Sequence, residues 1–155
     1  MNFKFLHSLT LGAALMIICT LIYAATETKI TEINKQDALV DYLHENKLVV
    51  VEFYSPTCPV CIAFKKKGIF PAAAKKLPHI KFVIVSSQEG IDLHKKYKIE
   101  QFPTFVYFQD GKEIKRNVGY SDNPQFIRNV SSIFDQNATM AQPGGQAVTV
   151  EQNNL

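Results

Sequence analysis

The sequence predicts an α/β domain: a mixed sheet flanked by helices on both faces. Three observations carry this. Strand-like and helix-like segments alternate from Thr28 to Phe134, the pattern of strands joined by helical crossovers. The segment Leu48 to Tyr54 (LVVVEFY) is apolar apart from one Glu, as a strand covered on both faces requires. A hairpin signal, Asp110-Gly111, separates two strand-like runs near the end and adds one antiparallel return. The implied order is β-α-β-α-β-α-β-β-α.

Each element has its own signal. Thr28 to Ile33 alternates polar and apolar residues, as an edge strand does. Asn34 is placed to cap a helix from Lys35 to about Asn46, with Ala38, Leu39, Tyr42 and Leu43 on one face. Ser55-Pro56-Thr57 ends the central strand. Pro59 suits the first turn of a helix, where its missing N–H costs nothing. That helix carries Cys61, Ile62 and Phe64, should weaken or kink around Gly68 and Pro71, and should resume from Ala72 to Leu77. Lys81 to Ser86 (KFVIVS) is a strand and Ile91 to Tyr97 a short helix. Phe102-Pro103 is a turn, Thr104 to Gln109 (TFVYFQ) a strand, and Glu113 to Val118 its return, closed by Gly119. Asp122 or Asn123 caps a last helix through Phe126, Ile127, Val130 and Phe134. Gln136 to Leu155 is rich in Gln, Asn, Gly, Ala and Thr without apolar periodicity, which reads as a disordered tail.

The 155 residues suffice for one domain. The net charge of +3 is mild and the lysines are scattered, with one short run at Lys65, Lys66 and Lys67. A nucleic-acid binder would show a denser basic stripe with interleaved aromatics, so no nucleic-acid partner is expected. At the N-terminus, Lys4 and His7 precede an uncharged apolar run from Leu9 to Tyr23, and Ala24-Ala25 follow. That is the pattern of a secretory signal peptide over residues 1–24, cleaved after Ala24 or Ala25. The rival reading is an uncleaved anchor helix, but the run is shorter than the roughly 20 apolar residues a membrane span needs. The expected organisation is a signal over 1–24, a domain over 28–135 and a tail over 136–155. The expected location is exported, periplasmic or secreted, with no stable membrane span after cleavage.

Cleavage would remove Cys19 and leave Cys58 and Cys61. A CxxC pair closes too small a loop to staple a fold, so it reads as a redox switch in a compartment that permits disulfides. Cys58 falls where a strand ends and a helix begins. Unpaired N–H groups and the helix dipole there favour a thiolate, which lowers the pKa and supplies the attacking species. Cys61, one turn on, can resolve the resulting mixed disulfide. A zinc site would need about four ligands. No second CxxC exists, and His44, His79 and His94 are scattered, so no metal or other cofactor is expected. His94 itself reads as a surface helix residue, and Lys65 to Lys67 as a solvated helix face able to attract an acidic partner.

The run Val49-Val50-Val51-Glu52-Phe53-Tyr54-Ser55-Pro56-Thr57-Cys58-Pro59-Val60-Cys61 resembles the active-site strand and loop of the thioredoxin superfamily. Phe102-Pro103-Thr104 resembles its cis-proline loop, and Asp110-Gly111 and Gly119 match its last hairpin and a structural glycine. The resemblance spans about Thr28 to Phe134 and implies a thioredoxin fold. It implies roles as well. Cys58 attacks, Cys61 resolves, and Glu52 assists proton transfer to and from Cys61. Pro103 is cis and packs against the sulfurs, Phe102 offers its backbone to an extended substrate, and Tyr54 lines the same groove. The sequence also departs from the family. Thr57 replaces the tryptophan before the first cysteine, and Pro59-Val60 replaces the Gly-Pro of thioredoxin or the Gly-His of protein disulfide isomerases. The strand Lys81 to Ser86 offers no convincing lysine for Glu52.

The resulting expectation is a monomeric thiol–disulfide oxidoreductase acting on protein thiols and disulfides, with a separate redox partner. Whether it oxidises, reduces or isomerises is open. The alternatives are a non-catalytic binding or chaperone module with a structural or regulatory disulfide, and a metal-delivery protein.

Overall fold

A computed structural model of the chain describes residues 30–140; residues 1–29, with Cys19 and the segment expected to be a signal, and residues 141–155, expected to be a tail, lie outside it. The elements run β1 (Thr31–Glu32), α1 (Gln36–Glu45), β2 (Leu48–Tyr54), α2 (Pro59–Lys66), α3 (Ile69–Lys76), β3 (Lys81–Ser86), α4 (Ile91–Lys96), β4 (Thr104–Gln109), β5 (Lys112–Val118) and α5 (Asn123–Met140). The strands form one sheet in the order β1-β3-β2-β4-β5. β2 lies parallel to β3 and antiparallel to β4, and β5 returns antiparallel to β4. The sheet is therefore mixed, with β1 at one edge.

The two faces of the sheet carry separate cores. On one, Val50, Phe82, Phe105 and Tyr107 pack against Phe64 of α2, Phe70 and Ala73 of α3, and Phe126 and Val130 of α5. On the other, Val49, Val51, Phe53, Val83 and Val106 pack against Leu39 and Leu43 of α1 and Leu93 of α4. Side chains alternate along a strand, so Val50, Glu52 and Tyr54 of β2 all point toward α2. That alternation places the acid on the side of the cysteines.

Several local expectations are corrected. Asn34 does not cap α1: Lys35 holds the N-cap position without a side-chain bond. The Asn34 amide instead ties strand ends together. Its Oδ1 accepts from the Ser86 N–H at 2.9 Å, and its Nδ2 donates to Glu32 and Glu89. Ala38 is exposed, so α1 buries Leu39 and Leu43. The α2–α3 break falls at Gly68, whose φ of 62° is left-handed. Pro71 sits in the first turn of α3, where proline interrupts nothing. Gln136 to Met140, expected to open the tail, belong instead to α5. Polar bonds rather than apolar periodicity hold those last residues. Asn137 donates to Gln109 of β4 at 2.8 Å, and Gln136 donates to Ser132.

Candidate active site

Cys58 is the N-cap of α2, with Pro59 in the first turn. Its Sγ accepts the Cys61 N–H at 3.5 Å, and as a thiol it donates to the Phe102 carbonyl at 3.7 Å. Both cysteines are free thiols. Cys58 is partly exposed and Cys61 is buried, so of the two sulfurs that of Cys58 is the accessible one.

The environments push the two thiols apart. Burial works against the Cys58 thiolate, but hydrogen bonds from Cys61 and from the Val60 backbone overcome it, so its pKa lies below the ordinary thiol value. Burial raises the Cys61 thiol to about 12, opposed by a Ser55 backbone bond and reinforced by Cys58 and Glu52. Cys58 therefore ionises more readily than an ordinary thiol, while Cys61 keeps its proton at neutral pH. A pair arranged this way can supply a nucleophile and a resolver.

Glu52 is 6 % exposed. Burial raises its pKa from 4.5 to about 8, and only the charge of Lys65 pulls the other way. A carboxyl with this pKa can give or take a proton near neutral pH. It shares one cavity with Cys61, Lys65 and Tyr54. The residue in register with Glu52 on β3 is Ile84, so β3 indeed supplies no cation. Lys65 does so from α2, four residues after Cys61, on the same helix face. That spacing was readable in the sequence; the three lysines are exposed, as a solvated face requires, and Lys65 also borders the cavity.

The Phe102–Pro103 peptide bond is cis, and Pro103 is buried. The loop is pinned on both sides. Thr104 Oγ1 donates to Gln101 O at 2.8 Å, and the Gly119 N–H donates to Pro103 O at 2.8 Å. Phe102 brings its carbonyl to Cys58, while its ring lies 5.4 Å from His94. Tyr54 lines the Glu52 cavity, and the Phe102 ring packs toward His94.

His94 is a second correction. It is 3 % exposed, with its ring 5.1 Å from Phe53. Its Nε2 lies 3.3 Å from Val85 O, and Nδ1 has no partner among the described residues. Burial holds its pKa below the ordinary value, against the Val85 bond. The charged neighbours Asp92, Lys95 and Lys96 hid this inward face of α4 in the sequence. Among the described residues no group of three or more His, Cys, Asp or Glu is placed to hold a metal ion, and no helix is long and apolar enough to cross a membrane.

This fold and this pair of unequal thiols define a thiol–disulfide oxidoreductase of the thioredoxin fold. Comparison with known proteins agrees. The family model described as Thioredoxin matches residues 28–132. The chain is 30% identical over 84 residues to the thioredoxin of Chlamydia trachomatis, covering 54% of this chain and 80% of that protein. It is 40% identical over 73 residues to thioredoxin H-type 1 of Nicotiana tabacum, covering 47% of this chain and 56% of the relative. Among solved structures, Fasciola hepatica thioredoxin superposes with a TM-score of 0.60 at 28% identity, covering 66% of this chain and 98% of that one. The chain belongs to the thioredoxin family.

Proposed function

We propose that Cys58 and Cys61 are the redox pair through which this chain exchanges disulfides with protein substrates outside the cytoplasm. The observation that carries the pairing is the Cys58 sulfur at the N-terminus of α2, 3.5 Å from the Cys61 N–H and 3.7 Å from the Phe102 carbonyl.

In the reducing direction the Cys58 thiolate attacks one sulfur of a substrate disulfide. A mixed disulfide forms, and the other substrate sulfur leaves as a thiolate and takes up a proton. Cys61 then loses its proton and attacks the Cys58 sulfur. The Cys58–Cys61 disulfide forms, and the first substrate sulfur leaves as a thiolate. The ionised form of Glu52, a minor species at neutral pH because its pKa is about 8, receives the Cys61 proton in the cavity the two share. Oxidation of a substrate dithiol runs the same steps backward. Phe102 and Pro103 shape the docking surface beside Cys58, and exposed Val60, Ile62 and Val118 add apolar contact area. No metal or organic cofactor enters these steps.

The test is a Cys61→Ser variant, which should accumulate a mixed disulfide with protein substrates, while Cys58→Ser should not react. Absence of both the trapped adduct and insulin reduction sinks the proposal. The reduction potential then sets the direction: about −270 mV marks a reductant and about −120 mV an oxidant. Export is supported by the apolar run Leu9 to Tyr23 and the following Ala24-Ala25. N-terminal sequencing of the expressed protein should find a chain starting at Ala25 or Thr26 in the periplasmic or secreted fraction; an intact N-terminus in the membrane fraction would replace export with anchoring.

A further inference from the structure

Beside the redox pair lies a cavity of about 490 Å³ walled by Cys61, Ile62, Phe70 and Ile84, with Lys65 and Lys66 at its edge. Both lysines are exposed, and among the described residues neither makes a salt bridge, unlike Lys67, which reaches Asp122 at 3.8 Å. The carboxyl inside the cavity, Glu52, is buried and mostly protonated at neutral pH. Glu32, in register with Ile84 on the sheet edge, accepts from Asn34 at 3.1 Å. The surrounding sequence adds no balancing charge: Ser55 to Gln88 contains Lys65, Lys66, Lys67, Lys75, Lys76 and Lys81 but no Asp or Glu. Two ammonium groups thus stand unmatched at the mouth of an apolar cavity that touches the resolving cysteine.

We propose that this cavity and its two lysines form a docking subsite for an acidic side chain of the protein substrate, close to the exchanging cysteine. The proposal rests on the reading of Cys58 and Cys61 as the exchange centre and names the substrate chemistry that centre prefers. An aliphatic stem with a carboxylate tip suits the site, because the stem meets apolar walls and the tip meets Lys65 and Lys66. An opposite charge on the substrate also raises the rate of encounter, and salt screens that attraction.

The experiment compares two synthetic peptides, each with one intramolecular disulfide, flanked either by two Glu or by two Gln. The rate of disulfide reduction by the reduced protein is measured for both, and the ratio is the readout. Taking the ratio within each variant cancels any effect of Lys65 on the resolving step. The Glu peptide should react roughly fivefold faster at low salt, the size expected of two exposed ion pairs, and the advantage should shrink as salt rises. Lys65→Gln/Lys66→Gln should bring the ratio to one, Lys66→Glu should lower it further, and Lys65→Arg/Lys66→Arg should keep it. Equal rates for the two peptides in the parent protein, or an advantage that survives the double Gln substitution, would overturn the subsite while leaving the exchange chemistry intact. No reaction with either peptide would instead remove the exchange reading, and the subsite with it.

Discussion

Glu52 carries a cost that is visible in its pH dependence. Its pKa is about 8 in the folded protein against 4.5 ordinarily. Between these values the folded chain holds a proton that the unfolded chain has released, so stability falls as pH rises through that window. The full penalty above pH 8 is about 5 kcal/mol by this shift. Glu52→Gln should therefore gain about 2–5 kcal/mol over the parent at pH 8 and nothing near pH 4, as read by urea denaturation. The same variant should slow resolution of the mixed disulfide by about a hundredfold or more, the usual weight of a proton-transfer group, as read by quenched flow. His94 has the opposite slope. Its folded pKa is depressed by burial, so the unfolded chain binds the proton first and stability falls as pH drops below the ordinary histidine value. His94→Leu, which removes the unpartnered Nδ1, should flatten that loss, measured as the melting temperature at pH 7 against pH 5.

At the scale of elements, backbone sign matters more than side-chain contact at two glycines. Gly68 separates α2 from α3 at φ 62°, and Gly119 closes β5 at φ 74°. A Cβ at either would meet nothing within 4 Å, so substitution strains only the left-handed backbone. Gly68→Ala and Gly119→Ala should each cost about 1–2 kcal/mol in urea denaturation. Exchange activity should survive, because alanine keeps the backbone N–H that Gly119 donates to Pro103 O. The break at Gly68 also lets α2 aim its N-terminus at Cys58 while α3 packs Phe70 and Ala73 into the core.

For the whole molecule, the decisive packing is that of α2 on the sheet. Phe64 lies 5.1 Å from Phe105, 4.9 Å from Tyr120 and 5.5 Å from Phe126, joining α2 to β4, the segment after β5, and α5. Phe64→Ala should cost about 3–5 kcal/mol. Because the same helix carries both cysteines, the variant should also lose the selective reactivity of Cys58, read by comparing iodoacetamide alkylation at Cys58 and Cys61. A purely local defect would lower stability and leave that selectivity unchanged.

Much of this was legible in the chain. The strand Leu48–Tyr54 is observed with the limits its apolar run predicts, since burial on both faces leaves little ambiguity in such a run. The hairpin turn was equally plain, and Asp110 and Gly111 both adopt positive φ, as such a two-residue turn requires. Helix capping and the end of α5 were less legible. Asn34 is drawn away by Ser86, 52 residues on, and Asn137 by Gln109. Both partners are set by topology rather than by local sequence.

The sequence by itself determined the alternation of elements, the CxxC pair at a strand-to-helix junction, and the acid six residues before it. These depend on periodicity and short spacing, which neighbours along the chain specify. Only the tertiary structure decided that Lys65 of α2, rather than a residue of β3, faces Glu52, and that His94 turns inward. Charge, burial and facing depend on which elements pack together, and that packing brings together groups far apart in the chain.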